Sequence, residues 1–304
     1  MTTSPPSTAA ASSTSSSRRP DLATRFRAAC VQMRGTRSPE DNADSAEALI
    51  RHAAALGAVY VQTPEMTNLI DRGARSIVTA AATEAEDATL RRLRAVAADL
   101  RIHLHIGSLA IRVPDGVANR AYVVGPDGAI LARYDKIHMF DVDLPGGESW
   151  RESRLYRAGD RAVAVDLPWG RLGVSICYDL RFPQLYRALA RAGAAMLAVP
   201  AAFTRQTGAA HWHALLRARA IETGSFVVAA AQGGLHEDGR ETFGHSLVVD
   251  PWGTIVAEAD GDEPGVIVAD IDLTASAEAR RRIPALAHDR AFAPPEMPVV
   301  EVAS

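Results

Sequence analysis

From Phe26 onward the chain alternates short apolar runs with segments whose apolar residues recur every three to four positions. "FRAACVQM" (26–33) reads as a strand. It leads to a helix with Ser38 as N-cap, Pro39 in the first turn and Asp41 three residues after the cap; apolar positions continue at helical spacing to Leu56, and Gly57 closes it. "AVYVQT" (58–63) is then a short buried strand, and a second helix near 86–100 precedes the strand "IHLHIGSLAIR". "AYVVGPDGAILARY" reads as two strands joined at a Pro-Asp-Gly turn.

The later half repeats this grammar. Strand "LGVSIC" (172–177) is followed by a helix from Pro183 to Arg191, strand "MLAVPA", helix "WHALLRARAIET" and strand "FVVAAAQ". The hairpin "HSLVVDPWGTIVAEA" and a last strand "GVIVADIDL" complete the pattern. Strands outnumber helices, and hairpins sit beside helix crossovers, which predicts sheets layered with helices rather than a purely parallel sheet. Residues 1–25, rich in Ser, Thr, Ala and Pro, have too little apolar surface to offset the entropy of ordering and are expected to be a disordered tail.

Composition narrows the function classes. The chain has 304 residues, 47% of them hydrophobic, enough for a large core. A net charge of −3 with both signs dispersed argues against nucleic acid or an anionic membrane as partner, and no apolar run approaches the roughly 20 residues of a bilayer span. Two cysteines cannot build a disulfide framework and suit a reducing, cytoplasmic setting.

Three strand ends carry candidate chemistry. Cys177 closes an apolar strand just before the helix at Pro183, so its thiol sits at a strand-to-helix turn beside backbone N–H groups, as a nucleophile would. Cys30, inside the first strand, reads as a small buried hydrophobe. Glu65 in "QTPE" projects from a strand end and is a candidate base for the thiol. Lys136 in "LARYDKIHMF" is the sole lysine, the other 32 of 33 basic residues being arginine. A lone lysine in such a chain implies a place for a compact ammonium where a planar guanidinium would not serve.

Histidines raise a metal alternative. "HLH" (103–105) puts two imidazoles on one strand face but brings no Asp, Glu or Cys at ligand spacing, and "HWH" (211–213) falls on a helix where i and i+2 diverge. Packing or hydrogen-bonded roles are expected for both, and "RRRIP" (280–284) reads as a solvated edge.

"TPE", "YDKIHMF" and "ICYDLRFP" appear in the order of the three signature segments of the nitrilase superfamily of carbon–nitrogen hydrolases, which this sequence resembles over roughly residues 26–292, leaving tails at 1–25 and 293–304. The resemblance implies an α/β fold, a four-layer αββα sandwich of the nitrilase type, assembled as a homodimer or higher homo-oligomer. It implies catalysis by Glu65, Lys136 and Cys177 through a thioester, with no cofactor or metal required, and with the backbone N–H of Tyr178 at the oxyanion. A second glutamate that positions the substrate amide falls on Glu152 in "RESRLY", with Glu148 in "GGESW" as its competitor.

The segments "CYDLRFP", "FTRQTGAAHWHALLRARAIETGSFVVAAAQGG" and "GHSLVVDPWG" are most similar to the amidase branch that acts on small carboxylate-bearing carboxamides: deaminated glutathione amidases first, ω-amidases next. In that branch an arginine and a threonine contact the substrate carboxylate, and these match Arg181 and Thr207, although Arg181 could equally pair with Asp179. Tyr178-Asp179 departs from the Trp-Glu usual after the cysteine of true nitrilases, which argues against a nitrile substrate. Gln62-Thr63 stands where an apolar pair is common in the family. A non-catalytic binding or thiol-sensing protein on the same fold is the alternative of another class.

Overall fold

The computed structural model describes residues 24–295; the tails expected at 1–25 and 293–304 fall largely outside them. In chain order the main elements are β1 (Arg25–Gln32), α1 (Pro39–Ala55), β2 (Tyr60–Gln62), α2 (Ala74–Ala80), α3 (Ala88–Leu100), β3 (His103–Val113), β4 (Gly116–Val124) and β5 (Ile130–Asp135). There follow β6 (Val163–Leu167), β7 (Gly170–Val174), α4 (Pro183–Arg191), β8 (Ala194–Ala198), α5 (Arg205–Thr223) and β9 (Phe226–Ala229). The chain ends in β10 (Leu247–Val249), β11 (Ile255–Glu258), β12 (Gly265–Asp272) and α6 (Thr274–Arg282).

The strands form two large mixed sheets. One has the order β12-β1-β2-β3-β4-β5, with the two-residue strand Tyr156–Arg157 added beside β4; the other has the order β11-β10-β9-β8-β7-β6. Within the first, β1 runs parallel to β2 (Ala29 opposite Val61) and antiparallel to β12 (Cys30 opposite Ile267). Strand periodicity divides β1 between two cores: Ala28 and Cys30 pack toward the second sheet, while Ala29 and Val31 pack under α1 and α3. Leu185, Tyr186 and Leu189 of α4 and Trp212, Leu216 and Ala220 of α5 cover the second sheet's outer face. The result is the expected αββα layering.

Element boundaries differ from the sequence reading at informative places. Strand β7 stops at Val174, so Cys177 lies beyond it and opens a one-turn 3-10 helix, Cys177–Arg181. Helix α5 starts seven residues before Trp212, capped by the Thr204 hydroxyl, which accepts from Thr207 N; Gly208 disguises that first turn in the sequence. Its glycine is required by contact, because a Cβ there would fall 2.3 Å from the Phe243 Cβ. The short α2 and α6 were not anticipated; α6 buries only Ser276, so its apolar pattern is too weak to read.

Candidate active site

All seven residues singled out above, Glu65, Lys136, Glu152, Cys177, Tyr178, Arg181 and Thr207, line one cavity of about 430 Å³. Glu65 and Lys136 come from loops after strands of the first sheet, Glu152 from the 3-10 turn Glu152–Arg154, Cys177, Tyr178 and Arg181 from the 3-10 turn after β7, and Thr207 from the first turn of α5, so the site draws on elements attached to both sheets.

Glu65 is placed by a loop after β2 that threads between neighbours with no space to spare. A Cβ on Gly107 would lie 2.1 Å from the Thr63 carbonyl oxygen and 2.5 Å from that of Pro64, so glycine alone lets this loop close on β3. Gln232 Nε2 donates to the Glu65 carbonyl (3.0 Å), and Met66 N donates to Ser108 Oγ (2.8 Å). The unusual Gln62-Thr63 pair is fully employed: Gln62 Nε2 donates to the Val228 carbonyl across the sheets, and the Thr63 hydroxyl accepts from Gly107 N.

Lys136 follows β5, its backbone pinned by Asn119 O (3.0 Å) and by Gly159 N (2.8 Å). Its ammonium is 2% exposed and donates to Glu65 Oε1 (2.8 Å) and to both oxygens of Glu152 (2.9 and 3.0 Å). Burial opposes the charged form, but the carboxylates of Glu152 and then Glu65 outweigh it and raise the Lys136 pKa well above its ordinary value. Glu152 therefore occupies the position beside lysine, whereas Glu148 accepts from Trp150 Nε1 and Arg72 instead. Backbone groups also donate to these carboxylates, Phe140 N to Glu152 Oε2 (2.7 Å) and Ala202 N to Glu65 Oε2 (3.0 Å).

Cys177 has φ of +47°, a left-handed conformation that costs a non-glycine residue energy and turns the side chain sharply out of the strand direction. Its own N–H donates to Pro200 O (2.9 Å). The opening of a helix leaves N–H groups without intrahelical acceptors, and Tyr178 N–H is one of these. Burial, reinforced by the Glu65 charge, raises the thiol pKa well above its ordinary value despite the opposing pull of Lys136. The thiol thus lies beside the Lys136–Glu65–Glu152 cluster, with burial favouring its neutral form. Cys30 keeps the structural reading, buried with its pKa pushed up to about 12 by burial.

Arg181 does not pair with Asp179. The Asp179 carboxylate is consumed elsewhere, accepting from Tyr134 Oη (2.6 Å), Ile176 N (2.9 Å), His138 N (3.1 Å) and His138 Nδ1 (2.7 Å). Arg181 meets His211 Nδ1 at 3.2 Å and the rings of Tyr178 and Phe203, and no carboxylate among the described residues. Thr207, in the first turn of α5, shares a hydroxyl contact with Thr204 (2.9 Å) on the same wall.

Two residues escaped the sequence reading. Asp179 ties the residues flanking Lys136 to the turn bearing Cys177, so one buried carboxylate sets the spacing of ammonium and thiol; its place at the third position of a helical turn was the available signal. Asn119 on β4 donates to both Glu65 Oε1 (2.9 Å) and Glu152 Oε1 (3.2 Å), and its buried Oδ1 has no partner among the described residues. Nothing in "VANRAY" distinguishes that asparagine.

The histidines of "HLH" pack as expected: His103 meets Trp169 edge-on, and His105 is buried against Tyr60 Oη (3.3 Å), which lowers its pKa to about 3 through burial. In "HWH", His213 bonds to Glu258 Oε1 (2.7 Å), a residue too distant in sequence for a spacing argument to connect.

Comparison with known proteins gives a consistent picture. Residues 27–281 match the family model described as carbon-nitrogen hydrolase. The chain is 40% identical over 269 residues to a deaminated glutathione amidase of Synechocystis sp., covering 86% of this chain and 97% of that one. It is 38% identical over 267 residues to omega-amidase NIT2 of Homo sapiens, covering 88% and 96%. The crystal structure of the Caenorhabditis elegans NitFhit protein superimposes with a TM-score of 0.81 at 37% identity, over 88% of this chain and 65% of that longer one.

Proposed function

Because the chain belongs to the carbon–nitrogen hydrolase family, we propose that its cavity hydrolyses a small carboxylate-bearing amide to the acid and the free amine or ammonia through a cysteine thioester. Glu65 removes the Cys177 proton as sulfur attacks the carbonyl carbon, and the oxyanion is met by the Lys136 ammonium and Tyr178 N–H. The protonated Glu65 then donates to the leaving nitrogen, the amine departs (cysteinylglycine from deaminated glutathione, ammonia from a primary carboxamide), and water activated by the same carboxylate releases the acid. Glu152 and Asn119 hold Lys136 and Glu65 in register, and Glu152 also receives the substrate amide.

The observation that carries this reading is the convergence of thiol, carboxylate and ammonium in one cavity with Arg181, a guanidinium without a carboxylate partner among the described residues. Arg181 with Thr207 fits a substrate carboxylate, for which a forked donor is suited. Relatives at similar identity are named for deaminated glutathione and for ω-amides. We favour deaminated glutathione, since Arg154 lines the same cavity with no ion pair among the described residues and can meet a second anionic end. α-Ketoglutaramate is the alternative, supported by the human omega-amidase similarity. We also propose a homo-oligomer, which exposed Ile221, Trp252 and Ile283 would favour, and a cytoplasmic setting that keeps Cys177 reduced.

The test is release of α-ketoglutarate, the acid both substrates share, from deaminated glutathione and from α-ketoglutaramate at low concentration, with Cys177→Ser as blank; the accompanying amine is cysteinylglycine in the first case and ammonia in the second. A large kcat/KM preference for the first supports the reading, and a preference for the second reassigns the substrate. Release no greater than the blank from either would reject the proposed substrate class.

A further inference from the structure

Outside the cavity, three groups that can ligate a metal converge from separate elements. His213 lies midway along α5, His245 precedes β10, and Glu258 ends β11. His213 Nε2 is 2.7 Å and His245 Nδ1 3.0 Å from the same carboxylate oxygen, Glu258 Oε1, and the potential ligand atoms all lie within 4.8 Å of one another. A tetrahedral ion with bonds of about 2.0–2.1 Å needs ligand atoms about 3.3 Å apart. Small side-chain rotations therefore open this triangle enough to admit one.

The imidazoles are also held in place. His245 stacks on the Phe243 ring (4.4 Å, 26°), and His213 meets that ring edge-on (5.9 Å, 89°). The His245 backbone is fixed by its N–H to Gly261 O (2.9 Å) and by Trp212 Nε1 donating to its carbonyl (2.8 Å). Each side chain is about one-third exposed, which leaves an approach for an ion and a water ligand.

We propose that His213, His245 and Glu258 form a binding site for a divalent transition metal, Zn²⁺ being the ion that two imidazoles and a carboxylate best suit. Mg²⁺ and Ca²⁺ prefer oxygen-only shells and are excluded by the donor set. The ion lies outside the reaction. It cross-links α5 to the β10–β11 hairpin, and so braces the helix whose first turn places Thr207 in the cavity wall.

The experiment uses untagged full-length Cys177→Ser protein, which removes the active-site thiol as a competing ligand. Isothermal titration with Zn²⁺ at pH 7.5 should show one equivalent bound at micromolar affinity or tighter, with proton release and a thermal midpoint raised by roughly a few degrees. Co²⁺ should give ligand-field bands of nitrogen and oxygen coordination. His213→Ala and Glu258→Gln, each checked by circular dichroism and metal-free melting, should weaken binding at least tenfold. Absence of stoichiometric binding overturns the site, as does undiminished affinity in a folded His213→Ala/Glu258→Gln double variant.

Discussion

Lys136→Arg is the sharpest perturbation of the proposed mechanism, because it keeps the charge and changes only its shape. The ammonium makes three contacts of 2.8–3.0 Å to two carboxylates while 2% exposed. A guanidinium is longer, planar and needs room that this enclosure lacks, so the Glu65–Glu152 clamp must spread or the side chain must buckle. Overpacking of this kind costs about 1–3 kcal/mol of stability, a moderate fall in thermal midpoint that still leaves a folded protein. Turnover should suffer far more. Displacing the cation from the oxyanion removes a preorganised donor worth about 10²–10³ in rate, or roughly 3–4 kcal/mol. Lys136→Met is a poorer probe, since two buried carboxylates facing each other without a cation would destabilise the fold by about 3–5 kcal/mol. The assay is steady-state release of the acid product with melting curves on the same samples. A Lys136→Arg enzyme within threefold of wild-type kcat would falsify the requirement for a compact ammonium.

Further outcomes follow from the same geometry. Arg181→Ala should cut kcat/KM for carboxylate-bearing amides by about 10–10²-fold, the value of a charged hydrogen bond, while sparing a neutral amide of equal size; equal losses on both would remove Arg181 from carboxylate recognition. Buried His105, with its pKa lowered to about 3, stays neutral when the unfolded residue begins to protonate near 6.5. Its contribution is therefore complete above pH 6.5 and is lost progressively as pH falls toward 3, and His105→Gln should flatten that part of the stability–pH curve by about one proton in denaturant titrations. Gly107→Ala should lower both thermal midpoint and kcat, because its Cβ would meet carbonyl oxygens that shape the Glu65 loop; an unaffected variant would show that the loop is not held by this contact. Asp179→Asn should reduce kcat by at least about tenfold with a smaller change in KM, since an amide oxygen cannot accept from all of Tyr134, Ile176 and His138.

Much of this protein was legible as a pattern along the chain. Ser38-Pro39-Asp41 defines the start of α1 because capping is local, satisfied within three residues of the cap. The Pro-Asp-Gly turn and the span from Pro183 to Arg191 are legible for the same reason. Glu65, Lys136 and Cys177 stood out by residue type and position at strand ends, and the lone lysine by composition. Their mutual distances did not. Which glutamate reaches Lys136, whether Arg181 is free of Asp179, and which asparagine bridges two carboxylates depend on contacts between residues 16 to 71 positions apart. The His213–His245–Glu258 triangle likewise has no local signature. Hydrophobic periodicity and caps are short-range consequences of backbone geometry, so the sequence alone determines them. The site is made where two sheets close on each other, and only tertiary packing decides which side chains then share a charge, a proton or an ion.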